Sequence, residues 1–315
     1  ALHADAKKKG FSTDVGNALV NLYGKCLSIS EAHNVFNSLC SHNVASWNAM
    51  ISTYVEFEQV DSALCLFNHM LKEGVSPDVW TFVITLQACC ILADKEESTL
   101  VDSHFIKPIC LDIVCAIHDD VEQNGFASHI FVGNSLLTTY GKCGDIKKAK
   151  EVFCSLHNSN VISWNAMLSV YIEQDQNDMA LHLYRQMVED RVSSSEQTFT
   201  IAIQACVNIL DKQETISVKE SAVMKTAIGM IGKALHADAL KKGFTLSAYV
   251  GNNLVTMYGK CGMIVEAEYA FEGLSQSNIV SWNVMLLAYV NNGYGEAALQ
   301  LFKLMWREGT TPSRL

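Results

Sequence analysis

The chain has 315 residues, 49% of them hydrophobic and 18% charged, a balance that excludes a disordered polyelectrolyte and belongs to a packed globular chain. Its formal net charge of −10, from 23 basic and 33 acidic residues, argues against nonspecific polyanion binding, which relies on many phosphate contacts, but not against a nucleic acid held in one less acidic groove. Three prolines suit a mostly helical chain, and the longest apolar stretch, residues 79–93, is too short and too polar at Thr81, Thr85 and Gln87 to span a membrane.

Residues 1–12 read as the tail of a truncated repeat. Leu2-His3-Ala4-Asp5-Ala6 and Lys8-Lys9-Gly10-Phe11 return as Leu235-His236-Ala237-Asp238-Ala239 and Lys241-Lys242-Gly243-Phe244. The chain is therefore expected to be a piece of a longer protein, and its lack of a targeting segment says nothing about location. From residue 13 on, three kinds of unit alternate. Units of 31 residues occupy 13–43, 130–160 and 248–278, each carrying Val-Gly-Asn and then Tyr-Gly-Lys-Cys. Units of 35 residues occupy 44–78, 161–195 and 279–313, each carrying Ser-Trp-Asn. Two longer units occupy 79–129 and 196–247, and residues 314–315 are left over. The motifs recur at steps of 117 and 118 residues. A fixed period means units that bury too little alone and stack into a solenoid.

Each unit predicts two helices. In 44–78 the first carries Trp47, Met50, Ile51 and Tyr54, and the second places Ala63, Leu64, Phe67, Met70 and Leu71 on one face, ending at Gly74 with Pro77 beyond. The sister stripe is Ala297, Ala298, Leu301, Phe302 and Met305, ending at Gly309 and Pro312. In the 31-residue units the stripes are Ala32, Val35, Phe36, Leu39 and Ala149, Val152, Phe153, Leu156. No segment alternates with period two, so strands are not expected. The extra length of the long units falls near 94–108 and 211–229, mixed-charge stretches read as surface loops inside a hairpin. The fold expected is an all-α, right-handed superhelical solenoid of helix-turn-helix repeats.

Eleven cysteines include equivalent copies, Cys26, Cys143 and Cys261, and Cys89 and Cys206, with no Cys-x-x-Cys pair. They read as small buried thiols in a reducing compartment rather than a disulfide or zinc framework. Gly141-Lys142-Cys143-Gly144 and Gly259-Lys260-Cys261-Gly262 read as helix stops, lacking the spacing of a phosphate-binding loop. None of the ten histidines is followed two residues later by Glu, so the zinc deaminase signature is absent, and no catalytic residue, metal or cofactor is expected.

Asn43 to Met50 and Asn160 to Met167, each followed by an Ala-Leu-x-Leu-Phe/Tyr-x-x-Met helix, resemble the pentatricopeptide repeat of land plants. The alternation of a 35-residue unit, a longer unit opening Thr81-Phe82 or Thr198-Phe199, and a 31-residue unit resembles its PLS subclass. This resemblance covers essentially the whole chain. It implies a single-stranded RNA partner, one base per repeat, in a mitochondrion or chloroplast. It also implies the addressing of cytidine-to-uridine editing, carried out by a deaminase domain or other editing-factor protein outside this chain. Alternatives within reach of the same sequence are an organellar RNA splicing or stabilisation factor and a protein-interaction scaffold of the tetratricopeptide kind. No membrane partner is expected.

In that family the fifth and last residues of each repeat read the base. Carried onto this chain they are Asn17 with Asn43, Asn48 with Asp78, Asn134 with Asn160, Asn165 with Ser195, Thr200 with Ser247, Asn252 with Asn278, and Asn283 with Ser313. Val83 with His129 has no reading, because Val cannot hydrogen-bond a base edge. In 5′→3′ order the implied target is pyrimidine, U, any base, pyrimidine, C, purine, pyrimidine, C. The same asparagines could instead be helix caps. Phe131, Ile162, Tyr249 and Val280 suit contact with base faces, whereas Asp14 and Ala45 do not. Lys25, Lys142 and Lys260 form a row that could track phosphates or serve as helix C-terminal charges.

Overall fold

The computed structural model describes residues 13–101, 104–157, 159–212 and 218–309. They fall into two compact units, Ala1–Ser159 and Asn160–Leu315. The first contains α1 (Thr13–Lys25), α2 (Ile29–Asn37), α3 (Val44–Glu56), α4 (Val60–Lys72), α5 (Val79–Lys95), the strands β1 (Thr99–Val101) and β2 (His104–Ile106), α6 (Pro108–Gln123), α7 (Ile130–Cys143) and α8 (Ile146–Ser155). The second contains α9 (Val161–Glu173), α10 (Asn177–Glu189), α11 (Glu196–Asp211), α12 (Val218–Lys241), a short 3-10 turn at Phe244–Leu246, α13 (Ala248–Cys261), α14 (Ile264–Glu272), α15 (Ile279–Asn291) and α16 (Gly295–Arg307).

Within each unit the first helices of successive hairpins lie side by side, α1, α3, α5 and α7 in one and α9, α11, α13 and α15 in the other. Second helices such as α2, α4, α12 and α14 pack both on their own partner and on the next first helix. This is the architecture of an all-α helical-repeat solenoid. The predicted stripes are its core. Ala32, Val35, Phe36 and Leu39 are buried, as are Ala63, Phe67 and Met70. Leu66 is buried beside them, while Leu64 and Leu71 sit at the edge. Phe302, placed in the same stripe of α16, is exposed, because α16 is the last described helix.

The recurring motifs have packing reasons. The tryptophan of Ser-Trp-Asn sits edge-on against the phenylalanine of the preceding second helix, Trp47 on Phe36 at 5.2 Å and Trp282 on Phe271 at 5.1 Å. The glycine of Val-Gly-Asn lets a leucine approach the first helix: a Cβ on Gly133 would overlap Leu156, and one on Gly16 would overlap Leu39. The glycine closing Tyr-Gly-Lys-Cys-Gly is a left-handed helix cap, φ 87° at Gly144 and 78° at Gly262. Leu27 takes that position in the first copy at φ 59°, a conformation that disfavours a side chain.

The long units depart from the sequence reading. Residues 99–106 form a two-stranded antiparallel hairpin, with Thr99 opposite Ile106 and Val101 opposite His104. Strands of three residues are too short to show alternation, which is why none was expected. The flanks of this hairpin are not a free loop. The Glu96 carboxylate accepts from the Ile109 and Cys110 amides, both at 2.9 Å, and so caps α6, while the Lys107 amide donates to the Cys143 carbonyl at 3.0 Å. In the second unit the extra residues from 218 to 229 are helical and lengthen α12 at its N-terminal end. Ile228 is buried there, and Gly229 lies against Met263.

A histidine–tyrosine pair recurs in the two units, half-buried at His118 and buried at His236. His118 Nδ1 meets the Tyr140 hydroxyl at 2.9 Å, and His236 Nδ1 meets that of Tyr258 at 3.2 Å. Burial pushes both histidine pKa values below the ordinary value; at His118, Lys148 adds to this and Glu122, Asp119 and Glu151 oppose it. The unfolded chain therefore binds more protons, so the pairs' contribution is complete above about pH 6.5 and is lost as pH falls below it. Melting temperature is expected to fall between pH 7.5 and 5.5. In the His118→Gln, His236→Gln double variant the decline should be shallower by a few degrees. Parallel pH profiles by circular dichroism would contradict this.

Candidate functional site

Five first helices begin with the same reciprocal cap. The N-caps are Asn43, Asp78, Asn160, Ser195 and Asn278, and each side chain accepts from the amide three residues on. The residue that carries this amide, Ser46, Thr81, Ser163, Thr198 or Ser281, returns its hydroxyl to the cap's own amide and is fully buried. The last residue of one sequence unit is thus the first fixed point of the next helix. The capping role that the sequence left open for the fifth-position asparagines belongs to these residues instead.

Among the described residues, fifth and last positions come together at three places. Asn48 Nδ2 donates to Asp78 Oδ1 at 3.0 Å, and the Thr81 hydroxyl donates to Asn48 Oδ1 at 2.7 Å. The Thr81 amide bonds the same Asp78 oxygen at 2.8 Å. The arrangement recurs in the second unit: Asn165 Nδ2 donates to Ser195 Oγ at 3.1 Å, and the Thr198 hydroxyl donates to Asn165 Oδ1 at 2.7 Å. Asn17 Nδ2 reaches Asn43 Oδ1 at 3.4 Å. Burial raises the Asp78 pKa, but the hydrogen bonds from Thr81, Asn48 and Trp80 together outweigh it, and the carboxyl sits below its ordinary value. It is therefore a carboxylate at neutral pH.

The remaining positions differ. Asn165 is only 4% exposed, and its Nδ2 also lies 3.4 Å from Gln197 Oε1. The carbonyl oxygens of Asn17, Asn134 and Asn252 are buried without a hydrogen-bond partner, a cost of about 1–3 kcal/mol each. Asn134 belongs to the first unit, and Asn160, the cap of α9, to the second. Thr200 turns its hydroxyl back to the Glu196 carbonyl of its own helix at 3.0 Å, and Ser247 donates instead to the Glu196 carboxylate. Val83 is half-buried, and His129, which begins α7 without a side-chain cap, has a buried Nδ1 with no partner. Asn278 caps α15, Asn283 is exposed, and Ser313 lies outside the described residues.

Beside these amides, one turn back along the first helices, stand the exposed apolar side chains Phe131, Ile162, Tyr249 and Val280. Trp80 belongs to the same set and was not singled out from sequence. It is 57% exposed, and its ring stacks on Phe131 with centroids 5.9 Å apart and planes 26° apart. Its place, second in the unit at 79–129 as Phe131 is second in the unit at 130–160, was the signal available. The buried Thr81 and Thr198 hydroxyls were also missed, although the recurring cap pattern three residues apart announces them.

The lysine row is engaged at helix ends. Lys142 pairs with Asp94 at 2.6 Å, and Lys260 pairs with Asp211. The following residues pair in the other direction, Lys95 with Glu58 at 3.0 Å and Lys212 with Asp175 at 2.6 Å. The Asp-Lys dipeptide ending α5 and α11 thus joins three successive first-helix ends. Lys25 is exposed. Among the described residues no group of three or more His, Cys, Asp and Glu side chains is placed to hold a metal ion, and no helix is long and apolar enough to cross a membrane.

Comparison with known proteins defines the class. The profile of the PPR repeat family matches residues 42–91 and 159–208, and that of the PPR repeat matches 17–44, 134–161, 252–279 and 280–310. The chain belongs to the pentatricopeptide repeat family. It is similar to pentatricopeptide repeat-containing protein At2g33680 of Arabidopsis thaliana, at 30% identity over 95% of this chain and 36% of that protein. It is also similar to the mitochondrial At3g24000 of the same plant, at 30% identity over 100% of this chain and 45% of that protein. The chloroplastic At1g11290 is 29% identical over 99% of this chain and 35% of its own length. The chain thus spans less than half the length of these relatives. Among solved structures, PPR10 in complex with an 18-nt psaJ RNA element superposes with a TM-score of 0.53 at 18% identity, covering 98% of this chain and 51% of that one.

The cap network predicts which hydroxyls matter. Thr81→Val removes the hydroxyl donation to Asn48 and strands the Asp78 amide. It should cost roughly 1–2 kcal/mol in urea unfolding. Thr200→Val, whose hydroxyl returns to its own helix, should change stability by less than about 0.5 kcal/mol. Equal losses in the two variants would contradict the assigned network.

Proposed function

We propose that this chain binds single-stranded RNA with sequence selectivity, each base meeting the fifth-position side chain of one hairpin and the capping side chain of the next. The observation that carries the reading is the Asn48–Asp78–Thr81 network and its repetition as Asn165–Ser195–Thr198. Family membership and the likeness to a relative solved with RNA support it. In this reading the exposed Trp80, Phe131, Ile162, Tyr249 and Val280 contact base faces, worth about 1–3 kcal/mol per stacked base for the aromatics. The unsatisfied carbonyls of Asn17, Asn134 and Asn252 give those amides a reason to turn toward a base. Lys142 and Lys260 must leave a carboxylate before touching phosphate, so the lysine row is assigned to helix ends and Lys25 alone to a phosphate contact.

The chemistry of the pair suggests which base each hairpin takes. Asn48 keeps one amide hydrogen for a base carbonyl, and ionised Asp78 keeps Oδ2 as an acceptor. Uracil offers a carbonyl and an N3–H to these two groups. Cytosine offers a lone pair at N3, which a carboxylate opposes. At Asn165 the neutral Ser195 hydroxyl can donate to that lone pair, provided Gln197 swings aside. The alternation of unit lengths supports the finer proposal that the chain supplies the address for cytidine-to-uridine editing in a mitochondrion or chloroplast, with chemistry from a deaminase domain or separate enzyme. Relatives named as mitochondrial and chloroplastic support the location.

Replacing Asn48 with Thr puts a hydroxyl beside Asp78, which keeps its demand for an N–H donor while losing the amide matched to a pyrimidine. Preference at one RNA position should move from U to G by at least tenfold in a randomised-oligonucleotide selection. Identical ranked sequences for variant and parent would contradict base reading by this pair.

A further inference from the structure

The sequence read the cysteines as small buried thiols; Cys26, Cys40, Cys65 and Cys154 are instead exposed, on helix faces and in turns open to solvent, and the first unit brings two of the buried ones together. Cys110, in the first turn of α6, and Cys143, the last residue of α7, are both fully buried, and the Cys143 thiol donates to Cys110 Sγ at 3.1 Å. The Cys110 thiol in turn donates to the Cys89 carbonyl oxygen at 3.2 Å, not to the Cys89 sulfur. The backbone already joins the same two places through the Lys107 amide and the Cys143 carbonyl. At the matching place of the second unit Cys261 faces Gly229 of α12 instead of a thiol.

We propose that Cys110 and Cys143 are an oxidative modification site, a dithiol converted to one intramolecular disulfide by a small-molecule disulfide of the glutathione type. Cys110 is the nucleophile. It sits at a helix N-terminus, which favours a thiolate, and the hydrogen bond from Cys143 holds its pKa below the usual thiol value against the effects of burial and Glu96. Its thiolate attacks one sulfur of glutathione disulfide and expels glutathione thiolate, which takes up the Cys110 proton. The Cys143 sulfur then attacks the mixed disulfide at Cys110 and releases the second glutathione, which takes up the Cys143 proton. Two cysteine sulfurs lose two electrons, and one glutathione disulfide becomes two thiols. Full burial means that the reagent enters through local opening, so the pair reacts more slowly than the exposed Cys26, Cys40, Cys65 and Cys154.

The bond would close a loop of 33 residues and tie the start of α6 to the end of α7. It lies at the far end of α7 from Phe131 and Asn134, so stability should respond more than RNA binding. The test uses the purified chain incubated with glutathione disulfide, alkylated in denaturant and mapped by mass spectrometry without reduction. A Cys110–Cys143 cystine peptide is expected, with Cys261 recovered as free thiol or as a mixed disulfide. The oxidised chain should melt roughly 5 °C or more above the reduced one, and Cys143→Ser should abolish both cystine and shift while Cys89→Ser keeps both. Cys143→Ala, checked for native helicity, guards against misfolding of the serine variant. Recovery of Cys110 and Cys143 without a mutual bond after Cys40 has reacted fully, or a Cys89–Cys110 cystine instead, would overturn the proposal.

Discussion

A capping side chain shared between two hairpins sets the geometry of this chain. Asp78 starts α5 by accepting from the Thr81 amide, and the same oxygen holds the amide of Asn48 from the preceding hairpin. The Thr81 hydroxyl closes the triangle from the buried side. A cap is worth about 1 kcal/mol and an unmet buried polar group costs about 1–3 kcal/mol, so the three groups have one satisfactory arrangement and little freedom around it. Ser195 with Thr198 and Asn165 repeats this in the second unit with a neutral oxygen in place of the carboxylate. Changing one atom type at a fixed place alters which hydrogen-bond partner the pair asks for and leaves the helix start intact. Variation without refolding is what a base-reading surface requires.

Much of this was legible in the residues. The 117- and 118-residue steps define the repeats, and helical spacing of Ala32, Val35, Phe36 and Leu39 identifies a stripe that the structure buries. These features repeat with simple periods, and hydrophobic periodicity reports burial directly. The pairing of Asn48 with Asp78 came from resemblance, since 30 residues separate them and only the stacking of α3 on α5 brings them together. The Thr81 hydroxyl's role went unnoticed because a threonine in an apolar run reads only as a polar interruption, and its partner Asn48 lies in the preceding hairpin. The pairing of Cys143 with Cys110 went unnoticed because Cys110 has no copy in the other long unit.

The two long units show how far repetition constrains structure. Their ends are alike: Asp94 and Asp211 each hold a lysine of the next hairpin, and Lys95 and Lys212 each hold an acid of the previous one. Exposed pairs contribute little singly, but their recurrence fixes the register of three helix ends in each unit. Between those ends the extra residues took different solutions, a short β-hairpin in one and several added turns of α12 in the other. Loop closure tolerates length, so insertions of similar size can diverge where the flanking caps and ion pairs are retained.

The central claim is that the side-chain pairs along the chain specify an ordered base sequence. Selection of the unmodified chain against randomised single-stranded RNA tests it most directly. The account predicts an enriched 5′→3′ consensus of pyrimidine, U, any base, pyrimidine, C, purine, pyrimidine, C, with the strongest discrimination at the U set by Asn48 and Asp78. Binding with no positional preference, or a consensus in which that position is C, would contradict it.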